Sequence, residues 1–145
     1  MTFAIPAEVL EDVLAHGREG GEMEVCGLFA GRRLPDGTVE VARHFRVTNA
    51  HPNPRTEYLV EPGEHLKLTL LVEDELGLEI VGFYHSHPRG PARLSTTDAA
   101  RANWPGAVYF LAWYGESEGW GAWRWDDGRG RFVPEAVEIR GSGKS

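Results

Sequence analysis

Two histidines stand one residue apart in V-G-F-Y-H-S-H-P-R-G-P-A-R-L-S-T-T-D, residues 81–98, at the end of an apolar run. In a strand, side chains at i and i+2 point to the same face, so His85 and His87 can present both imidazoles to one point. Neutral imidazole is the commonest ligand of catalytic zinc. A third ligand has to come from elsewhere, and Asp98 is well placed on the first turn of the helix expected after the Pro/Gly-broken loop. Two imidazoles and a carboxylate leave a fourth position open for water, whereas a closed structural site fills it with another side chain, often cysteine. The one cysteine, Cys26, rules out an intramolecular disulfide and an all-cysteine cage. The same donor set also suits a mononuclear iron site.

Hydrolysis at an open metal site needs a general base and a donor for the oxyanion. Glu24, in E-V-C-G-L-F-A-G, stands at the mouth of a strand entering the core and is the best base candidate. Glu22, two residues earlier, is its weaker rival. Ser95 is the best oxyanion donor, and its spacing from Asp98 is also that of a capping box, a role compatible with the first. Ser86, between the histidines, points to the opposite face and reads as a structural hydrogen bonder. Cys26 reads as a small buried hydrophobe with nothing nearby to lower its pKa. His16, His44, His51 and His65 read as surface or loop residues. Trp113, Trp120, Trp123 and Trp125 read as core or cross-strand partners. Gly143-Lys144-Ser145 is no phosphate loop, because Glu138 occupies the place of its first glycine.

The elements that position these residues follow from periodicity. Val9, Leu10, Val13 and Leu14 share one face of a helix over Pro6 to about Arg18. Val25–Arg33 reads as a buried strand, and Asp36-Gly37 is a hairpin turn into the alternating Val39–Val47. Residues 49–55 form a loop broken by two X-Pro steps, and Glu57–Val60 reads as a short strand. A second helix is expected over 62–76 with Leu66 and Leu70 completing its turns and Gly77 as its cap. Leu78–Tyr84 is a strand that delivers His85. A helix follows over 96–103, then strands over 107–114, 120–125 and 131–139. The order suggests an α+β fold, a mixed sheet with helices packed against it. A chain of 145 residues suits one domain over 1–140, with 141–145 as a disordered tail.

The hydrophobic share of 41% and charged share of 26% are those of a globular protein. No apolar run approaches the roughly 20 residues of a membrane span. The N-terminus has neither a basic start nor an apolar signal core, which points to the cytoplasm. A net charge of −7 argues against nucleic-acid binding, which needs basic patches.

H-S-H, seven residues, Ser, two residues and Asp, with an upstream E-x-C-G, resembles the JAMM (MPN-plus) family of zinc isopeptidases. The resemblance extends to the N-x-x-P loop at Asn49 and the central helix, and is nearest to the family's compact prokaryotic members. It implies one zinc per chain held by His85, His87 and Asp98, with Glu24 as general acid/base and Ser95 as oxyanion stabiliser. It also implies a sandwich around a mixed sheet, related to the cytidine deaminases. The lead-in Gly21-Glu22-Met23 departs from the proline or asparagine that often precedes the family's glutamate, and Glu24 is preferred because it alone keeps the E-x-C-G spacing.

The implied function is hydrolysis of the bond after the C-terminal glycine of a ubiquitin-like or sulfur-carrier protein. The Gly-Gly tail of such a partner would add to a sheet edge beside the site. Two alternatives remain open: a peptidase trimming C-terminal residues from a sulfur carrier in cysteine metabolism, and a non-catalytic scaffold. The oligomeric state is left open between monomer and homodimer.

Overall fold

A computed structural model describes residues 2–100, 104 and 106–141. The elements run β1 (Thr2–Pro6), α1 (Ala7–Glu19), β2 (Cys26–Arg33), β3 (Val39–Val47), α2 (Pro62–Leu70), β4 (Glu79–His87), α3 (Thr96–Ala100), β5 (Val108–Trp113), β6 (Gly119–Asp126) and β7 (Arg131–Arg140). The expected mixed sheet is present, with β1–β3, β1–β7 and β4–β5 parallel and the other neighbours antiparallel. It closes on itself in the order β1-β3-β2-β4-β5-β6-β7.

The closing strand is the one the sequence concealed. Phe3, Ala4 and Ile5 are all buried, so β1 has no solvent face and shows no alternation, as expected of a strand in parallel pairing. Pro6 ends this strand and caps α1, where the periodicity alone makes it part of the helix. This closure bears on a docking tail. β2 lies between β3 and β4, and β4 between β2 and β5, so neither strand that carries the site offers an edge for a further strand. The expected edge addition beside the site is therefore corrected.

The sheet packs two cores. One lies under α1 and joins Val9, Leu10 and Val13 to Phe3, Phe29 and Phe110. The other lies on the opposite face and gathers Leu28, Tyr58, Val72, Phe83 and Tyr109. Bulges switch strands between them. In β3 the register skips Ala42, so Val39 and Val41 enter the first core while Phe45 and Val47 turn to the second. In β4 it skips Val81, which places Phe83 on the second face and, by the period of two, His85 and His87 after it.

Three local readings need correcting. Glu57–Val60 is not a strand but a single bridge between Asn49 and Val60. The second helix stops being α-helical at Leu70 and widens into one π turn, Leu71–Glu75, closed by Leu76 N–H on the Leu71 carbonyl at 3.1 Å. Leu66 and Leu70 are 62% and 51% exposed, and Leu68, Val72 and Leu76 pack instead. The cap at Gly77 has the expected positive φ of 63°. Residues 101–103 of the expected third helix and 142–145 of the tail lie outside the described residues. Among the described residues no helix is long and apolar enough to cross a membrane.

Candidate metal centre

β4 carries His85 and His87 to its end, where both are buried, and their Nε2 atoms lie 3.3 Å apart. The His87 Nδ1–H donates to the Pro91 carbonyl at 3.0 Å, which leaves Nε2 as the lone-pair nitrogen. The His85 ring is stacked on Tyr58, centroids 4.2 Å apart and 20° between planes. Asp98 arrives from the start of α3. Its Oδ2 is 3.3 Å from His85 Nε2 and 3.4 Å from His87 Nε2.

The cap that holds Asp98 is reciprocal. Ser95 N–H donates to Asp98 Oδ2 at 2.7 Å, and Asp98 N–H donates to Ser95 Oγ at 3.0 Å. This is the capping box read from the spacing, with Asp in the place of the usual Glu or Gln. The Ser95 hydroxyl accepts in that bond and keeps its own proton to give.

Glu24 comes from the residue pair just ahead of β2 and is 6% exposed. Its N–H donates to the Pro54 carbonyl at 2.7 Å, and its carbonyl accepts from Asn49 Nδ2 at 2.9 Å. The next residue, Val25, donates to Ser86 Oγ at 2.9 Å and accepts from Ser86 N–H at 3.1 Å. Ser86 thus has the structural role its position suggested. Glu24, His85 and His87 each offer a donor atom within 4.8 Å of the others. Glu22 lies outside that group, exposed and paired with Arg89 and Arg55.

The donors fit a tetrahedral cation. Ligands about 2.0–2.1 Å from a tetrahedral zinc stand about 3.3–3.4 Å from one another, and the three edges among His85, His87 and Asp98 are 3.3, 3.3 and 3.4 Å. Two of the three pKa shifts, those of His85 and Asp98, favour a bound cation, and that of His87 opposes it. Burial pushes the His85 pKa down, only partly offset by Asp98, so its ring is held neutral. For His87 burial acts the same way, but Asp98 and the Pro91 carbonyl outweigh it and the pKa is raised. Burial would raise Asp98, yet the two adjacent imidazoles and the Ser95 N–H overcome it and hold the carboxyl well below the usual range.

The remaining candidates fall away from the centre. Cys26 is buried, its pKa pushed up to about 12 by desolvation, and its Sγ is turned to the Thr48 carbonyl. His44 pairs with Asp12 at 2.6 Å, and His51 lies 3.3 Å from Glu57. His16 and His65 are not surface residues: His16 bonds the Tyr84 hydroxyl at 2.7 Å, and His65 packs on Phe83 and Trp104. Trp120 stacks on Phe110 and Trp125 on the edge of Phe132, as core partners. Sequence reasoning missed Asn49 as an anchor. Its amide satisfies the Glu24 and Glu57 carbonyls and the His51 and Leu59 N–H groups. The N-x-x-P pattern flagged its loop but not this task.

Residues 6–126 match the family of prokaryotic homologs of the JAB domain. The chain belongs to that family. Three relatives are similar over most of it. A desampylase of Haloferax volcanii is 38% identical over 75% of this chain and 78% of its own. A probable TtuB-protein conjugate cleaving protease of Thermus thermophilus is 41% identical over 72% of this chain and 66% of its own. A CysO-cysteine peptidase of Mycobacterium tuberculosis is 37% identical over 75% of this chain and 71% of its own. The JAB family relationship thus agrees with the JAMM resemblance carried by Glu24 and the H-S-H stretch.

Proposed function

We propose that the protein is a zinc-dependent peptidase that hydrolyses the bond after the C-terminal glycine of a small ubiquitin-like or sulfur-carrier protein. The observation that carries this reading is the tetrahedron-sized triangle of His85, His87 and Asp98 beside a buried Glu24. His85, His87 and Asp98 are the ligands in this reading, one zinc per chain. Zinc held there supplies Lewis acidity, activating water and polarising a carbonyl.

The chain's own residues do the rest. Glu24 takes a proton from the attacking water and passes it to the leaving nitrogen. Ser95 donates a hydrogen bond from its hydroxyl to the carbonyl oxygen as negative charge develops there. The C–N bond breaks, hydroxide ends on the carbonyl carbon, and the nitrogen leaves protonated. A cleft of about 380 Å³, lined by Glu24, His87 and Ser95 among others, admits the substrate tail.

The names of the relatives support two substrates. The name of the Thermus relative, a protein-conjugate cleaving protease, favours cleavage of a conjugate between two proteins, and that of the mycobacterial CysO-cysteine peptidase favours cleavage before a cysteine. A non-catalytic scaffold is disfavoured because ligands, base and oxyanion donor are all present. Carrier-protein fusions and lysine conjugates incubated with metal-loaded protein and read by intact mass test the proposal. Cleavage after the terminal glycine is expected, with Glu24→Gln retaining one zinc by metal analysis and losing about 10²–10⁴-fold in turnover. Near-wild-type cleavage by that variant would remove Glu24 as the base, and iron in place of zinc would change the cofactor.

A further inference from the structure

The cleft contains a charged feature that the hydrolysis does not use. Arg55, Arg89 and Glu22 line it together with Glu24, His87 and Ser95. Glu22 is shared between the two arginines: Arg89 Nη2 bonds its Oε1, and Arg55 Nη2 lies 3.5 Å from its Oε2. At Glu22 two cations share one anion, and across the cleft as a whole Arg55 and Arg89 balance Glu22 and Glu24 in a chain whose formal charge is −7.

Both arginines are tied to the site through their backbones. Arg55 follows Pro54, whose carbonyl accepts the Glu24 N–H at 2.7 Å. Arg89 comes two residues after His87, in a turn closed by Gly90 N–H on the His87 carbonyl at 3.1 Å. It is backed by Gly115, where a Cβ would meet the Arg89 Cα at 3.3 Å. The guanidinium groups themselves are solvent-exposed and held by an ion pair of little net strength, so another carboxylate can displace Glu22 at small cost.

We propose that Arg55 and Arg89 form a recognition site for the free α-carboxylate of a single amino acid that follows the scissile bond, with Glu22 occupying the site in its absence. The proposal rests on the peptidase reading and decides its leaving group. In a one-residue leaving group the carboxylate is one carbon from the scissile nitrogen, so it enters the cleft with it. A lysine within a protein has no carboxylate there: its carbonyl is an amide, at the far end of a four-carbon stem. Planar, forked guanidinium groups suit a carboxylate, and a charge-assisted bond strengthens the discrimination.

The test uses the host's sulfur-carrier protein extended after its terminal glycine by cysteine or by cysteinamide, made by chemical ligation, with a lysine isopeptide as third substrate. For metal-loaded wild type, kcat/KM for the acid is expected to exceed that for the amide about ten- to hundredfold, mostly through KM. The R55A/R89A pair brings the ratio close to one, and Glu22→Gln lowers KM for the acid by removing the competing carboxylate. Equal rates on acid and amide by the wild type overturn the carboxylate site and leave the peptidase intact. So does a ratio that survives in R55A/R89A. If that variant does not fold, the wild-type ratio and the Glu22→Gln shift still decide. Failure of metal-loaded wild type to cleave any of the three substrates removes the peptidase reading and this inference with it.

Discussion

At residue scale, one hydroxyl, that of Ser95, caps α3 and lines the proposed catalytic cleft. Its oxygen accepts the Asp98 N–H at 3.0 Å, which fixes the first turn of α3 and with it the Asp98 carboxylate. The same hydroxyl lines the cleft with a proton to donate. Ser95→Ala removes both functions, costing about 1 kcal/mol as a lost cap and about 10²–10³-fold in turnover as a lost oxyanion donor. Ser95→Thr keeps a hydroxyl at the cap and is expected to recover most of the rate. Cleavage kinetics at matched zinc content check this, and Ser95→Ala turning over within a few-fold of wild type would leave Ser95 a cap only. Asp98→Asn retains an oxygen for the Ser95 N–H but loses the charge, and zinc affinity measured against a competing chelator is expected to fall at least about a hundredfold. The convergence of these residues was legible in the sequence because strand and helix periods convert spacing directly into direction. Asn49 under Glu24 was not, because a loop with two X-Pro steps has no period to read, and Tyr58 under His85 was not, because its segment forms only a single bridge, at Val60, in place of the expected strand.

At the scale of elements, the site depends on two strands being locked at one level. Ser86 points away from His85 and His87 and holds Val25 through both its Oγ and its N–H, so β4 sets the height of Glu24 just ahead of β2. Ser86→Ala leaves the Val25 N–H without that partner and is expected to cost about 1–3 kcal/mol, read by urea unfolding of metal-stripped protein so that metal linkage does not mask it. Turnover should fall while His85, His87 and Asp98 still take up zinc. Unchanged turnover would mean that Glu24 is placed by Asn49 and Pro54 alone. α1 and β3 could be read from their periods, and β2 and β4, buried on both faces, from their length of eight and nine residues. β1 was hidden because Phe3, Ala4 and Ile5 are all buried, which abolishes alternation. The phase of α2 was misjudged because the π turn at 71–75 turns Val72 and Leu76 inward while Leu66 and Leu70 face water.

Over the whole molecule, α1 is joined to the metal strand from behind, and this makes stability depend on pH. His16, near the end of α1, hydrogen-bonds Tyr84, the neighbour of His85 on the opposite face of β4. Burial lowers the His16 pKa, with Arg46 adding to the effect against Glu19 and Asp12. His65, on α2 and packed against Phe83, is lowered by burial as well. A histidine whose folded pKa lies below its unfolded value of about 6.5 binds its proton more readily in the unfolded chain. Stability is then full above about pH 6.5 and declines as pH falls from there towards the folded pKa. Asp12 acts in a lower window. Hydrogen bonds from Arg46 and His44 lower its pKa to about 2, so its contribution is present above the unfolded carboxyl pKa and is lost as pH falls through about 2. Between pH 7 and 5 the thermal midpoint of metal-stripped protein should therefore drop with a slope set by the buried histidines. His16→Gln should flatten it, and the His16→Gln/His65→Gln pair should flatten it further, while the loss at lower pH from Asp12 persists. Identical slopes for wild type and both variants would show that neither imidazole is held neutral by the fold, and that the bond between His16 and Tyr84 does not couple α1 to the strand carrying the metal ligands.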